Sequence, residues 1–411
     1  MPTFSIPLSG LTSSSIALST IANNLANLNT TGYKDQSVQF KDLFYQSLGS
    51  TGSGNPILSG AGTAVDSISS VFTQGSLSPD GVSTDVAIQG GGFFVAQGTS
   101  GATYTRAGNF SIDKNGFLVT TSGAQVQGYP AVNGVISGGQ GLAPLQLGSG
   151  QLSPATATTT VRSATNLNAA AAVGDTFSTP VTVFDSLGAS HTLTFNYTKT
   201  AAGAWNYAIT IPAADVGQTG APVTIKSGTM TFDGAGNLLT PAADVTGIAV
   251  TGLANGANTL TFKWQLYDKG TSLVQQVASP TSTSSTQQDG NGSGALVNFN
   301  IGADGTVSGS FSNGRTAVLG QLALATFGNN QGLLRTGSSG FTPTLASGQA
   351  VLGAPGTGGR GTLSGGALEL SNVDIASEFA ALIVAQRAFQ ANAKVVTTFD
   401  QVTQETINLK Q

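Results

Sequence analysis

The chain has 411 residues, enough for two or three domains, with 39% apolar residues and no cysteine, which excludes a disulfide framework and thiolate metal sites. Charged residues make up only 8%, against a usual figure of roughly 25%. A net charge of −4 offers no basic surface for nucleic acid, and no run of about 18 apolar residues suggests insertion in a membrane.

The opening stretch, MPTFSIPLSGL, lacks the basic and apolar regions of a cleaved secretory signal. The expectation is either retention or export by a route that needs no cleaved peptide. Residues 8–30 predict the first helix. Leu11, Ser14, Leu18, Ile21, Leu25 and Leu28 fall at a and d of three heptads, while Ser9, Thr12, Ser19, Asn23, Asn27 and Thr30 lie opposite. The helix carries no charge at all: Lys34 is the first charged side chain of the chain. Gly32 is placed to end it, because glycine takes positive φ without a Cβ clash. Residues 33–75 show little periodicity and read as an extended connector.

The middle of the chain reads as β structure. Glycine, at 56 residues, has about twice its usual share of roughly 7%. Segments 111–120, 231–240 and 300–309 share one plan, an alternating strand followed by an Asp/Gly turn and a second apolar stretch, which predicts hairpins. Two polar runs, 147–160 and 279–294, read as seams. They bracket an insert, 149–294, that contains both tryptophans, Trp205 and Trp264. The flanks, 76–148 and 295–366, then form one discontinuous domain. A third Gly-rich stretch, 353–366, reads as a linker into the last helix.

That helix is expected over 373–408, with Ser371 and Asp374 as a capping box. One stripe holds Ile375, Phe379, Leu382, Phe389, Ala393 and Val396. The other side is apolar too, with Ala380, Val384, Ala388, Ala391 and Val395. A helix apolar nearly all round requires partners all round. Taken together, these elements predict a mainly β fold with α-helical termini. The two helices (1–32 with 367–411) pair as a coiled-coil-like axial domain, followed by an inner discontinuous β domain and an outer one.

Chemistry is sparse. His191 is the only histidine, on a predicted strand, and reads as an ordinary strand residue with no carboxylates clustered about it. GTGGRG (356–361) matches a dinucleotide fingerprint but lacks the strand-to-helix context. DGNGSG (289–294) opens like a calcium loop, yet its twelfth position is Asn300 where a bidentate Glu is needed. No catalytic, cofactor or metal residue is assigned, and an enzyme is not expected.

Energetics point elsewhere. Burying Leu11, Leu18, Ile21, Leu25 and Leu28 would contribute on the order of 8–15 kcal/mol. Ordering about 20 residues of backbone costs on the order of 20–40 kcal/mol before hydrogen bonds help. The first helix covers only one face of the last. The remaining apolar face calls for another copy, so a polymer with a core of paired terminal helices is expected. A neutral Asn/Ser/Thr face suits a crowded wall, where many copies of one charge would repel.

The sequence ANNLANLNTTGYK (22–34), with Asn23, Asn24, Asn27, Gly32, Tyr33 and Lys34, is similar to the N-terminal signature of the bacterial flagellar rod and hook axial proteins. Residues 371–409, containing AQRAFQANAK, resemble the C-terminal helix of that family. GVSTDVAIQGGGFFV (81–95) and residues 104–131 resemble its first β domain, and VFDSLGASHTLTFNY (183–197) its outer β domain. Rod members are shorter and lack such an insert, so the hook branch is favoured. The resemblance implies a curved tubular homopolymer outside the cell. It would act as a universal joint, carry torque from rod to filament and enclose the export channel. Implied partners are the distal rod, the hook cap, the hook–filament junction proteins and the flagellar type III export apparatus. The alternatives are a distal rod protein of the same family and a secreted adhesin-like β protein.

Overall fold

The structure is a computed structural model describing residues 5–43, 46–50, 52–99, 101–136, 141–148 and 150–409. The expected connector and β domains therefore include a few positions outside the described residues, among them 44, 45, 51, 137–140 and 149. The chain is mainly β with a helix at each end, and it divides into two compact units. The first holds 1–150, 298–309 and 317–411. The second holds 151–297 and 310–316, where the sequence led us to expect 149–294.

The first unit opens with α1 (Ser5–Ala26). The expected span was 8–30; residues 27–32 instead form turns, closed by Thr30 N donating to Asn27 O and Tyr33 N to Thr30 O. Gly32 has φ +64° but does not cap the helix, because its N–H donates to Glu369 O at 2.8 Å. A Cβ there would stand 2.4 Å from Ala107 N, so close backbone approach requires glycine. The connector is not featureless. Strand β1 (Gln36–Asp42) pairs antiparallel with β2 (Thr63–Ser70), and a smaller ladder joins Gln46–Ser50 to Pro56–Ser59.

The β body of this unit is a sheet of short strands. Gln125–Val132 lies between Phe93–Gly98 and the strand containing 320–322; Phe93–Gly98 continues to Gly101–Thr105 and then to Gly340–Thr342. Its core mixes residues from both stretches of the discontinuous segment, with Val86, Ile88 and Phe94 packed among Ile301, Leu322 and Leu363. Stretch 353–366 is not a linker. Thr362–Gly365 pairs with Val86–Gln89, and Arg360 folds back, its Nε donating to Ala354 O at 3.1 Å. The glycines there accommodate turns inside a hydrogen-bonded loop. Finally, Ala367–Glu369 pairs with Leu77–Pro79 and leads into α2 (Ile375–Asn408). The cap of α2 is Asp374 itself, whose carboxylate accepts from Ala376 N and Ser377 N; no Ser371 capping box forms.

The second unit stacks two sheets over one core. Thr176–Phe184, Ser190–Ala201, Ala204–Ile211, Val223–Phe232 and Leu238–Thr240 form an antiparallel meander. Thr160–Asn168 sits in a mixed sheet, parallel to Leu260–Gln265 and Val274–Val277 and antiparallel to Ser282–Gln288. That last strand lies inside the expected seam 279–294: its Ser/Thr residues are adequate strand formers once an edge is offered. Alternation is strict on the long strands. Val181, Val183, Leu193 and Phe195 point inward, and Trp264 receives Phe195 and Tyr207 at ring-centroid distances of 5.0 and 5.2 Å.

One turn design recurs. In Asp113–Phe117, Asp185–Ala189 and Asp233–Asn237, Asp Oδ1 accepts from the N–H groups two and four residues on. The fourth residue is a glycine with φ of +84° to +85°, which closes a three-residue hairpin loop with a bulge. The 300–309 hairpin closes similarly, Gly302 N donating to Thr306 O.

Candidate assembly site

α1 and α2 pack along one another. The contact is not a leucine seam. Gly10, Ser13, Ser14, Ala17 and Ile21 face Ala381, Val384, Ala385, Ala388 and Asn392. Approach is close at Gly10, where a Cβ would meet the Asn392 side chain at 2.8 Å. Short side chains bring the helices together yet leave an open apolar groove of about 570 Å³, flanked by Phe40 and Thr63 of the connector.

The buried positions of α1 are Pro7, Ser13, Thr20 and Asn24. Of the expected core leucines, Leu11, Leu18, Leu25 and Leu28 are half-buried, as is Ile21 at the groove. Heptad counting weights bulk, whereas this contact selects small residues. On α2 the only buried side chain among the described residues is Ala385. Leu382 and Val396 are half-buried, while Ile375, Phe379, Val384, Phe389 and Val395 are exposed, Val384 to 69%. At 34 residues α2 is about 51 Å long, so the 22-residue α1 cannot cover it.

The signature at the end of α1 forms a lock. Asn24 is 1% exposed; its Oδ1 accepts from Tyr33 Oη and Gln36 N, both at 3.1 Å, and its Nδ2 donates to Gln36 O at 2.9 Å. Asn23 Nδ2 donates to Tyr33 Oη and Gln36 Oε1, and Asn27 Nδ2 caps back onto Asn23. Lys34 is fully buried, its Nζ 2.6 Å from Glu369 Oε1 and 2.7 Å from Thr73 O. Arg106 Nη1 reaches the other Glu369 oxygen at 3.3 Å, and Gly75 N donates to Glu369 Oε1. One carboxylate thus joins the end of α1, the end of the connector, the β body and the approach to α2.

Burial pushes the Lys34 amine and the Arg106 guanidinium below their usual pKa values, with Glu369 opposing in both. Arg335 stacks over the Tyr33 ring at 4.7 Å and donates to Lys34 O; Asn372 accepts from Asp35 N and donates to Val71 O. Burial raises the Asp35 carboxyl, and burial with the Asp35 charge raises Glu378 on the first turn of α2.

The signature residues Asn23, Asn24, Asn27, Tyr33 and Lys34 thus come together. Glu369, Arg106, Arg335 and Asn372 escaped the sequence reading. The signal for Glu369 was Lys34 itself: an ammonium ending an uncharged, partly buried segment requires a buried carboxylate. His191 needs a correction as well. Asp185 and Asp215 lie against it, one on each ring nitrogen. Among the described residues no group of three or more His, Cys, Asp or Glu side chains is arranged to hold a metal ion, and no helix is long and apolar enough to cross a membrane.

Four family models match. They are the flagella basal body rod protein model over 6–34, the flagellar hook protein FlgE/F/G D1 domain over 87–166, the flagellar basal body protein FlaE D2 domain over 151–291, and the flagellar basal body rod FlgEFG protein C-terminal model over 364–409. The flagellar hook protein FlgE of Escherichia coli (strain K12) is 36% identical, covering 99% of this chain and 100% of its own length. That of Treponema pallidum (strain Nichols) is 34% identical, covering 98% of each. The crystal structure of Helicobacter pylori flagellar hook protein FlgE2 aligns over 71% of this chain and 100% of its own, with a TM-score of 0.49 at 16% identity. On the full-length sequence matches, the chain belongs to the flagellar hook protein FlgE family.

Proposed function

We propose that this chain builds the hook as a homopolymer whose inner wall consists of the terminal helices, each α2 completed by helices of neighbouring copies. The observation that carries this reading is α2. Phe379 is 52% exposed, Val384 69% and Ile407 60%, on a helix that α1 is too short to cover. Leu11, Leu18, Ile21, Leu25 and Leu28, with Ile375, Phe379, Leu382, Val384, Phe389, Val395 and Val396, are the proposed core of that wall. The lock at Lys34–Glu369 would hold the root of both helices on the β body of the first unit. The tube would transmit torque from rod to filament as a universal joint. Its ends would meet the distal rod and the junction proteins, with the hook cap present during growth. Export through the flagellar type III apparatus without a cleaved signal, to an extracellular hook, belongs to the same proposal. The test is a Val384→Asp chain. Because Val384 is exposed in the single chain, folding of both β units should persist while sedimenting tubes vanish; normal tubes seen by electron microscopy would refute the helical wall.

A further inference from the structure

The chain's single histidine is built into a charge clasp in the second unit. His191, on the strand Ser190–Ala201, is 7% exposed. Its Nε2 is 3.0 Å from Oδ2 of Asp185, and its Nδ1 is 3.0 Å from Oδ2 of Asp215. Asp185 is fully buried in its hairpin turn, with Oδ1 fixed by Leu187 N and Ala189 N. Asn255, from loop 253–257, donates to Asp185 Oδ2. Asp215 lies in a single turn of 3₁₀ helix (Ala213–Val216), and its side chain is 28% exposed.

Donor arithmetic decides the charge of the ring. A neutral imidazole has one N–H and one lone pair, and a carboxylate has only lone pairs. A neutral His191 would therefore set a lone pair 3.0 Å from a carboxylate oxygen on one side or the other. Only the imidazolium donates at both nitrogens. Burial opposes the charged ring, but the hydrogen bonds and charges of Asp185 and Asp215 outweigh it, so the His191 pKa is raised above its ordinary value. On the neighbouring strands no other charge competes: the paired strand Thr176–Phe184 has no titratable side chain, and on Ala204–Ile211 the titratable Tyr207 packs against Trp264.

We propose that this clasp is a proton-dependent fastener, in which the bound proton ties the Ser190–Ala201 strand to the 185–189 turn, the 213–216 turn and the 253–257 loop. The two arms are unequal. After deprotonation the ring keeps its Nε2–H on buried Asp185, which has no access to water. The Nδ1 lone pair then faces Asp215, which can turn outward and be solvated. Ala254 N donates to the main-chain oxygen of Asp215 at 2.9 Å, so the Ala254 amide lies one hydrogen bond from the arm that opens. Because the folded-state value is raised, this contribution is complete below the ordinary histidine value of about 6.5 and is lost as pH rises through the folded-state value.

Selective ¹⁵N labelling of histidine in the full chain gives one imidazole to follow. The expected result is two protonated ring nitrogens persisting above the ordinary histidine value of about 6.5. Asp215→Asn should lower the titration midpoint while leaving the fold intact, and the Ala254 amide should respond along the wild-type titration. A titration midpoint at or below the ordinary value, or one unmoved by Asp215→Asn, overturns the proposal.

Discussion

Two buried cations share one carboxylate at the root of the helices, and the deletions that follow from this are unequal. Lys34 and Arg106 carry two positive charges against the single negative charge of Glu369. Glu369→Gln leaves two facing cations without their anion and should cost roughly 3–5 kcal/mol. Lys34→Met leaves a neutral Arg106–Glu369 pair, and Glu369 Oε1 keeps the Gly75 N–H. Its cost should stay at about 1–3 kcal/mol, because Thr73 O loses the Lys34 hydrogen bond but keeps the one from Asn372 Nδ2. Denaturant unfolding of the first unit checks the order; equal losses would contradict it. Gly32 offers a second comparison at this scale. Both Gly32 and Gly217 have positive φ, +64° and +67°, so replacing either by Ala incurs roughly 1–2 kcal/mol of backbone strain. Only at Gly32 does the new Cβ also strike backbone, so Gly32→Ala should destabilise clearly more than Gly217→Ala. The partner of Lys34 lies 335 residues away, which is why composition and spacing exposed one half of the lock and hid the other.

At the scale of elements, the two kinds of helix contact have different physical logic. α1 meets α2 through Gly10, Ala17, Ala385 and Ala388, where short side chains permit close approach but bury little area. Most of the larger side chains stay half-buried or exposed, and in the proposed polymer neighbouring copies would cover them. Gly10→Leu should therefore separate α1 from α2, whereas Leu18→Asp should leave that pair docked and block assembly. Tube formation and the circular dichroism of dilute chains distinguish the two. Helical apolar spacing revealed that helices stand at both ends of the chain, since regular apolar recurrence survives any packing. It did not reveal which stripe meets which, because counting leucines cannot see a seam of glycine and alanine. The hairpins were legible for a local reason: each Asp and Gly satisfies its turn within five residues. The Ser282–Gln288 strand was not, because its partner strand, Thr160–Asn168, lies more than a hundred residues back.

For the whole molecule, stability and assembly reside in different parts of the chain. The β cores of the two units bury Phe94, Val126, Leu322, Trp205 and Trp264, and they need no second copy. The helices carry exposed apolar area, which the proposed assembly would remove from water. With 8% charged residues, the chain also brings little like-charge repulsion to a crowded polymer. Regions with few buried apolar contacts open at low free energy. Amide hydrogen exchange on the chain, dilute and then assembled, tests this division most directly. The expected result is rapid exchange along α2 in the dilute chain against slow exchange in the β cores, with α2 becoming strongly protected in the polymer. Protection of α2 in the dilute chain equal to that of the β cores, unchanged on assembly, would contradict the account.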